Sequence, residues 1–340
     1  MRRLSYLQLD VFTETPFTGN QLAVFLDAEG LTDDEMQALA KEMNFSESTF
    51  VLPASDPQAL ARVRIFTPNV ELPFAGHPTV GTTFALAASG RIQPERDGSP
   101  IILELGVGPI PIDLFYEGDG GAQTLSFAWM RQPIPSFSPW QGDAARLAAA
   151  LGLAADDLAT DLPIERGSAG VAFVYIPLRS AAALARTRPN ADLAAALGDA
   201  SPQVGAFIFT LDAPDAVGAG TGDAGVGDGG AVNAPVNAPF MLAVRGRMFA
   251  PFLDLREDPA TGSAAGPLGA YLVRHGRASA AASVDGEARV RLTQGVEMGR
   301  PSRLDVAVAM TGGDQGAASI SGVRVGGASV VVAEGVMLLP

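Results

Sequence analysis

Apolar and polar positions alternate from the start of the chain. In YLQLDVFT, residues 6–13, every second side chain falls on one face, and apolar LAVFL follows at 22–26. The intervening Pro-Phe-Thr-Gly-Asn, 16–20, carries turn residues, so the pattern predicts strand, loop, strand. The period then changes. LTDDEMQALAKEMN, 31–44, predicts a helix with Thr32 as N-cap, acids in the first turn and an apolar face of Leu31, Met36, Leu39, Ala40 and Met43. ESTFVLP and ARVRIFTP read as two more strands, PTVGTTFALAASG as a helix, and 101–116 as further strands. Gly, Asp and Gln crowd 117–123, which predicts a connection into a second half. There, helices at 142–153 and 190–199 alternate with strands at 169–178 and 204–211. Residues 212–239 hold almost no large apolar side chain and read as a flexible surface insertion. Strand character resumes at FMLAVRGRMFAP, 240–251.

One pattern occurs twice. ELPFAGHPTVGTTFAL, 71–86, aligns with EDPATGSAAGPLGAYL, 257–272: Glu71 with Glu257, Pro73 with Pro259, Gly76 with Gly262, His77 with Ser263, Leu86 with Leu272. The preceding strands also match, Arg64 with Arg247 and Phe66 with Phe249. This is an internal duplication. Each copy predicts a strand, an acidic turn and a glycine that lets the backbone approach a ligand just before a helix begins. Free N–H groups and the positive end of the helix dipole then suit a carboxylate. Two such starts facing one cleft would form an anion clamp.

Composition narrows the chemistry. The chain has 340 residues, 47% hydrophobic and 18% charged, enough apolar material for two domains of ordinary size. A formal charge of −14 opposes binding to nucleic acid phosphates or anionic membranes. No apolar run approaches the ~20 residues of a membrane-spanning helix, and no signal peptide is visible at the N-terminus, so a soluble, cytoplasmic protein is the expectation. Cysteine is absent, which removes thiol catalysis and thiolate metal sites. Lys41 is the sole lysine, which speaks against a pyridoxal Schiff base and a P-loop. With His77 and His275 the only histidines, no multi-histidine metal centre is expected. Chemistry without metal or cofactor gains by elimination.

Glu47, in NFSESTFV, stands among small polar residues beside Phe45 and Phe50. A carboxylate in a partly apolar cleft acquires a raised pKa and serves as general base and acid; a surface glutamate capped by its serine neighbours is the competing reading. His77 at a helix start is either a cap or a participant opposite Ser263. His275 before Gly276 reads as a structural cation at a helix C-terminus.

Taken together, LDVFTETPFTGNQLAVFL, NFSESTFVLP, FTPNVELPFAGHPTVGTTFAL, RMFAPFLDLREDPATGSAAGPLGAYL and QGVEMGRPS resemble, in order, the signatures of the PhzF-like family, named for a phenazine biosynthesis isomerase. The resemblance runs from the first strand to about Ser302. It implies an α+β chain of two pseudo-symmetric domains of diaminopimelate epimerase-like fold, each a curled sheet around a central helix, with the site between them. We expect these at 1–122 and 123–340, the last strand packing back on the N-terminal domain.

By the same resemblance Glu47 is the catalytic acid/base, and His77, Asp258 and Ser263 line and assist the site. Gly76 and Gly262 would present backbone N–H groups to a substrate carboxylate, and Asn20 would line the cleft. The implied activity is a cofactor-independent isomerisation that moves a proton on a small cyclic or unsaturated carboxylate. The implied assembly is a homodimer. The epimerases of this fold carry two cysteines where this chain has His77 and Ser263, so two-thiol racemisation is excluded. Two alternatives stay open: an amino acid racemase or epimerase without cysteines, using Glu47 and His77 as bases, and a non-catalytic ligand-binding or interaction protein.

Overall fold

The computed structural model describes residues 2–93, 100–118, 123–198, 204–212, 242–251, 255–279, 286–311 and 319–339. Apart from Asp212, the insertion expected at 212–239 lies outside them. The first half runs β1 (Arg2–Val11), β2 (Asn20–Phe25), α1 (Asp33–Met43), β3 (Glu47–Leu52), β4 (Ala61–Phe66), β5 (Glu71–Leu72), α2 (Gly76–Ala88), β6 (Ile101–Leu105), β7 (Gly108–Glu117) and β8 (Thr124–Gln132). After it come β9 (Ser136–Pro139), α3 (Ala144–Ala150), β10 (Glu165–Ser168), β11 (Ala172–Pro177), α4 (Ala181–Arg186), α5 (Leu193–Ala196) and β12 (Val204–Thr210). The second half closes with β13 (Leu242–Ala250), β14 (Leu255–Asp258), α6 (Gly262–Arg274), β15 (Glu287–Gln294), β16 (Ser302–Thr311), β17 (Ser319–Gly327) and β18 (Ser329–Leu339).

The duplication read from the loops extends to the strand pairings. β2 pairs parallel with β3, β3 antiparallel with β4, and β4 parallel with β6. β11, β12, β13 and β15 repeat that order of parallel, antiparallel and parallel. The parallel pairs are possible because a segment containing a helix separates the partners in each case. β8 and β17 pair across the middle, β7 flanking one and β16 the other. β9 pairs with the β10 that follows it, and β18 returns from the far end of the chain to pair with β1. The result is a mixed α+β fold of two pseudo-symmetric halves, each a curled sheet around one helix.

Those helices are α2 and α6, and their composition explains their burial. Both are apolar or small on every side, as a helix wrapped by a sheet must be. From Gly76 to Leu86, and from Gly262 to Leu272, every residue is buried. The threonines of α2 are satisfied inside: Thr79 and Thr83 donate to carbonyls one turn back, at 2.7 and 3.0 Å, and Thr82 bonds Thr49 at 2.8 Å. Gly81 leaves room for Leu22 and Val11, since a methyl there would fall 2.6 Å from each. By contrast α1 is amphipathic and lies on the outside. Thr32 and Glu35 form its capping box, and Met36, Leu39 and Ala40 turn inward toward Phe25, Phe50 and Phe66. The helix expected at 190–199 shortens to the four residues of α5, and the short α4, alanine-rich without a clear period, had no predicted counterpart.

Candidate active site

α2 and α6 point their N-termini at each other. Their first residues touch: a methyl on Gly76 would stand 2.6 Å from the Gly262 Cα and 2.7 Å from the Ser263 amide nitrogen. Only glycine permits this approach, and it sets two rows of helix-start N–H groups side by side. Ser263, 8% exposed, is the second residue of α6, as His77 is of α2.

The first half contributes three side chains around this seam. Asn20 opens β2 after a tight loop in which Phe17 has φ 69° and Gly19 φ 68°. Glycine is required there, because a Cβ on Gly19 would stand 2.5 Å from the Val11 carbonyl. Glu47 begins β3 just past Asn44, whose φ of 52° ends α1 in the left-handed region. His77 is 3% exposed. Asp258, at the end of β14 and 4% exposed, comes from the second half.

Hydrogen bonds join these groups. The Asn20 amide donates to Asp258 Oδ1 at 2.8 Å and to the Ala260 carbonyl at 2.9 Å, and its nitrogen lies 3.1 Å from His77 Nδ1. Ser46 Oγ adds a donor to Asp258 Oδ1 at 3.3 Å, and Thr261 Oγ1 one to Oδ2 at 2.5 Å. Gln294, at the end of β15, donates to the Asp258 carbonyl at 2.7 Å and to Thr261 Oγ1 at 3.0 Å, and accepts from the Thr261 N–H at 3.1 Å. His77 Nε2 faces Glu47 Oε2 across 3.5 Å. Neither of those two atoms has a hydrogen-bond partner among the described residues, although both are buried. Buried polar atoms left this way are costly, and two of them face each other here.

Burial governs the charges. Desolvation pushes the Glu47 carboxyl well above the usual range, and the nearby Asp258 carboxylate pushes it further. Desolvation also raises Asp258, to about 6, against the hydrogen bonds from Thr261, Asn20 and Ser46. His77 goes down to about 3, again by burial, so the imidazole is neutral at physiological pH. Glu47 and Asp258 thus compete for one negative charge.

Of the residues singled out from sequence, Asn20, Glu47, His77 and Asp258 meet in this network, and Gly76, Gly262 and Ser263 form the seam beside it. His275 lies apart, 3.1 Å from Glu165, in keeping with a structural role. Sequence reasoning missed Ser46, Thr261 and Gln294 as members of the network. It also missed Arg300, which donates to the Gly19 and Thr18 carbonyls at 2.7 Å and to Asp10 at 2.6 Å, and so holds the loop before Asn20. All four lie inside motifs quoted above, but nothing in their spacing marks them.

Two glycine-opened helices abutting at a pseudo-twofold seam, with the Glu47 and Asp258 carboxyls beside it, define an epimerase-like isomerase fold. A sequence profile described as phenazine biosynthesis-like protein matches residues 9–216 and 228–335. The chain belongs to this PhzF-like family and is an isomerase-type enzyme. It is 38% identical over 331 residues to the trans-2,3-dihydro-3-hydroxyanthranilate isomerase of Pseudomonas aeruginosa, covering 97% of this chain and 98% of that one. An uncharacterised isomerase of Mesorhizobium japonicum is 33% identical over the full length of both. Among solved structures, a PhzF-family phenazine biosynthesis protein of Bacillus anthracis superposes with a TM-score of 0.78 at 28% identity, each chain fully covered. A hydroxyproline epimerase of Agrobacterium vitis shares the fold, with a TM-score of 0.59 at 13% identity, covering 98% of this chain and 92% of that one.

Proposed function

We propose that this chain is a cofactor-independent isomerase that moves a proton on a small cyclic or unsaturated carboxylate, with Glu47 as the acid/base. The observation that carries this reading is the Glu47 carboxyl itself: at the start of β3, its Oε2 buried without a partner among the described residues, its proton affinity raised by desolvation and by Asp258. Glu47 as carboxylate takes a proton from a saturated carbon, the electron pair moves through the conjugated system, and the same carboxyl returns the proton to another carbon. No electrons leave the substrate. Neutral His77 stands against the Glu47 carboxyl through Nε2 and orients it, and the N–H groups at Gly76 and Gly262 face the substrate carboxylate, where negative charge builds during transfer. Asp258, Asn20 and Ser263 complete the lining.

The 3.5 Å between Glu47 and His77 argues against their use as the two bases of a racemase, because no carbon fits between groups in such contact. The relative named for trans-2,3-dihydro-3-hydroxyanthranilate makes that compound the first substrate to try. Proton NMR in deuterated water, with wild type and Glu47→Gln in parallel, tests the proposal. Deuterium entering at one carbon, and a loss of about 10³-fold in the variant, is the expected outcome. Ligand binding without exchange in any of a panel of small carboxylates would favour a binding protein instead.

We further propose residues 1–122 and 123–340 as the two domains, β8 being the shared seam, and a cytoplasmic homodimer as the working form. Sedimentation at twice the 35.0 kDa chain mass is the expected result. No helix among the described residues is long and apolar enough to cross a membrane.

A further inference from the structure

QGVEMGRPS is a sequence signature for which the mechanism above has no use, yet its first residue reaches the site. Gln294 is fully buried, and its amide bonds the Asp258 carbonyl and both the N–H and the hydroxyl of Thr261. Because Thr261 Oγ1 accepts from Gln294, its own proton is free to point at Asp258 Oδ2.

The first half supplies an internal control. Gly106 and Gly295 occupy matching places, each pressed against the proline of its loop: a methyl would fall 2.8 Å from the Pro73 Cα and 2.7 Å from the Pro259 carbonyl oxygen. The residue before each is therefore equivalent, Leu105 in the first half and Gln294 in the second. In the same register Ala75 stands for Thr261, and Leu72 for Asp258. One half builds this loop and its helix start from Leu72, Ala75 and Leu105, so the backbone does not need the polar trio. We propose that Gln294 is a positioning residue, which acts through Thr261 to hold the Asp258 carboxylate in its working orientation. The idea rests on Asp258 belonging to the proposed acid/base site.

Glu47 from β3, His77 from α2 and Glu257 from Asp258's own strand, the last paired with Arg247 of β13, are the titratable and charged groups around it. The test is the titration of the Asp258 carboxyl, followed by carbon NMR of aspartate-labelled protein and assigned by its loss in Asp258→Asn. In Gln294→Leu, the residue the first half uses, the Asp258 midpoint is expected to move up from about 6 by about half a pH unit or more, since a freed Thr261 hydroxyl no longer favours the carboxylate. Thr261→Ala is expected to give the same shift, and the double variant no more than Thr261→Ala alone. On a substrate that the wild type turns over, kcat is expected to fall about 10- to 100-fold in Gln294→Leu with KM changed little.

An unmoved midpoint in folded Gln294→Leu, or additive shifts in the double variant, would overturn the proposal. If Gln294→Leu does not fold, an unmoved midpoint in Thr261→Ala overturns it equally. The titration needs no substrate, so a wild type without turnover would sink the functional reading while leaving this one decidable.

Discussion

The loops before α2 and α6 begin alike. Arg64 grips Glu71 with two bonds of 2.7 and 2.6 Å while lying 5.1 Å over the Phe66 ring, and Arg247 grips Glu257 at 2.8 Å twice while lying 5.0 Å over Phe249. Their surroundings differ. The Arg64 side chain is 16% exposed and its glutamate 41%, whereas Arg247 is 4% exposed, Glu257 13%, and Arg247 also donates to the Leu184 and Thr187 carbonyls. One duplicated device has thus become a surface brace in the first half and a buried anchor in the second. The buried copy is the one that carries Asp258. The carboxylate proposed for the chemistry sits on the more deeply buried of two equivalent loops.

Removing the arginines is the strongest way to probe that difference. Arg247→Ala leaves Glu257 and two carbonyls without their donor, and urea unfolding is expected to show a loss of about 3–5 kcal/mol. Arg64→Ala should cost about 1 kcal/mol, as a partly exposed pair does. Equal losses would erase the distinction. Next comes the matched pair one residue on: Asp258→Asn is expected to lower kcat about 10²- to 10³-fold, while Leu72→Met leaves it within about twofold.

The glycine seam separates the halves more finely. A Cβ on Gly76 meets the opposing backbone at 2.6 Å and one on Gly262 at 3.0 Å. Gly76→Ala is therefore expected to lower kcat more than Gly262→Ala, by about tenfold, with both variants folded by circular dichroism. The smallest effect concerns pH and stability. Asp258 titrates at about 6 in the fold, above the ordinary aspartate value near 3.9, so the folded state binds the extra proton and this group's contribution is lost as pH rises from 4 through 6. His77, held down to about 3, works the other way, favouring the fold as pH rises toward 6.5. Asp258→Asn removes the first contribution, together with the part of the Glu47 rise that the Asp258 charge causes. Its Tm is expected to exceed the wild type's by several degrees at pH 8 and to match it at pH 4.

Much of this arrangement was legible beforehand because the duplication leaves its mark in local spacing. Arg64 and Arg247, Phe66 and Phe249, Glu71 and Glu257 could be aligned by eye, and their contacts repeat as the alignment requires. Glu47, His77 and Asp258 were singled out through motifs whose order matched a family. What stayed hidden depends on pairs far apart in the chain. Gln294 meets Thr261 across 33 residues and Arg300 meets Asp10 across 290, and no periodicity announces a partner at such range. α4 escaped for another reason: an alanine-rich segment carries little apolar contrast from which to read a face.

The return of β18 to the first half also bears on how the chain is made. Arg2 pairs with Leu339, and Val11 with Ser329, so one edge of β1 stays bare on the ribosome until residues from the far end of the sequence emerge. Until then the first half is an open sheet with hydrogen-bonding groups exposed, the state most prone to pairing with a neighbouring chain. Closing it demands contacts of the longest range the chain offers, which slow folding. The two halves resemble each other as finished objects, but the first is not finished without a strand made at the end of the second.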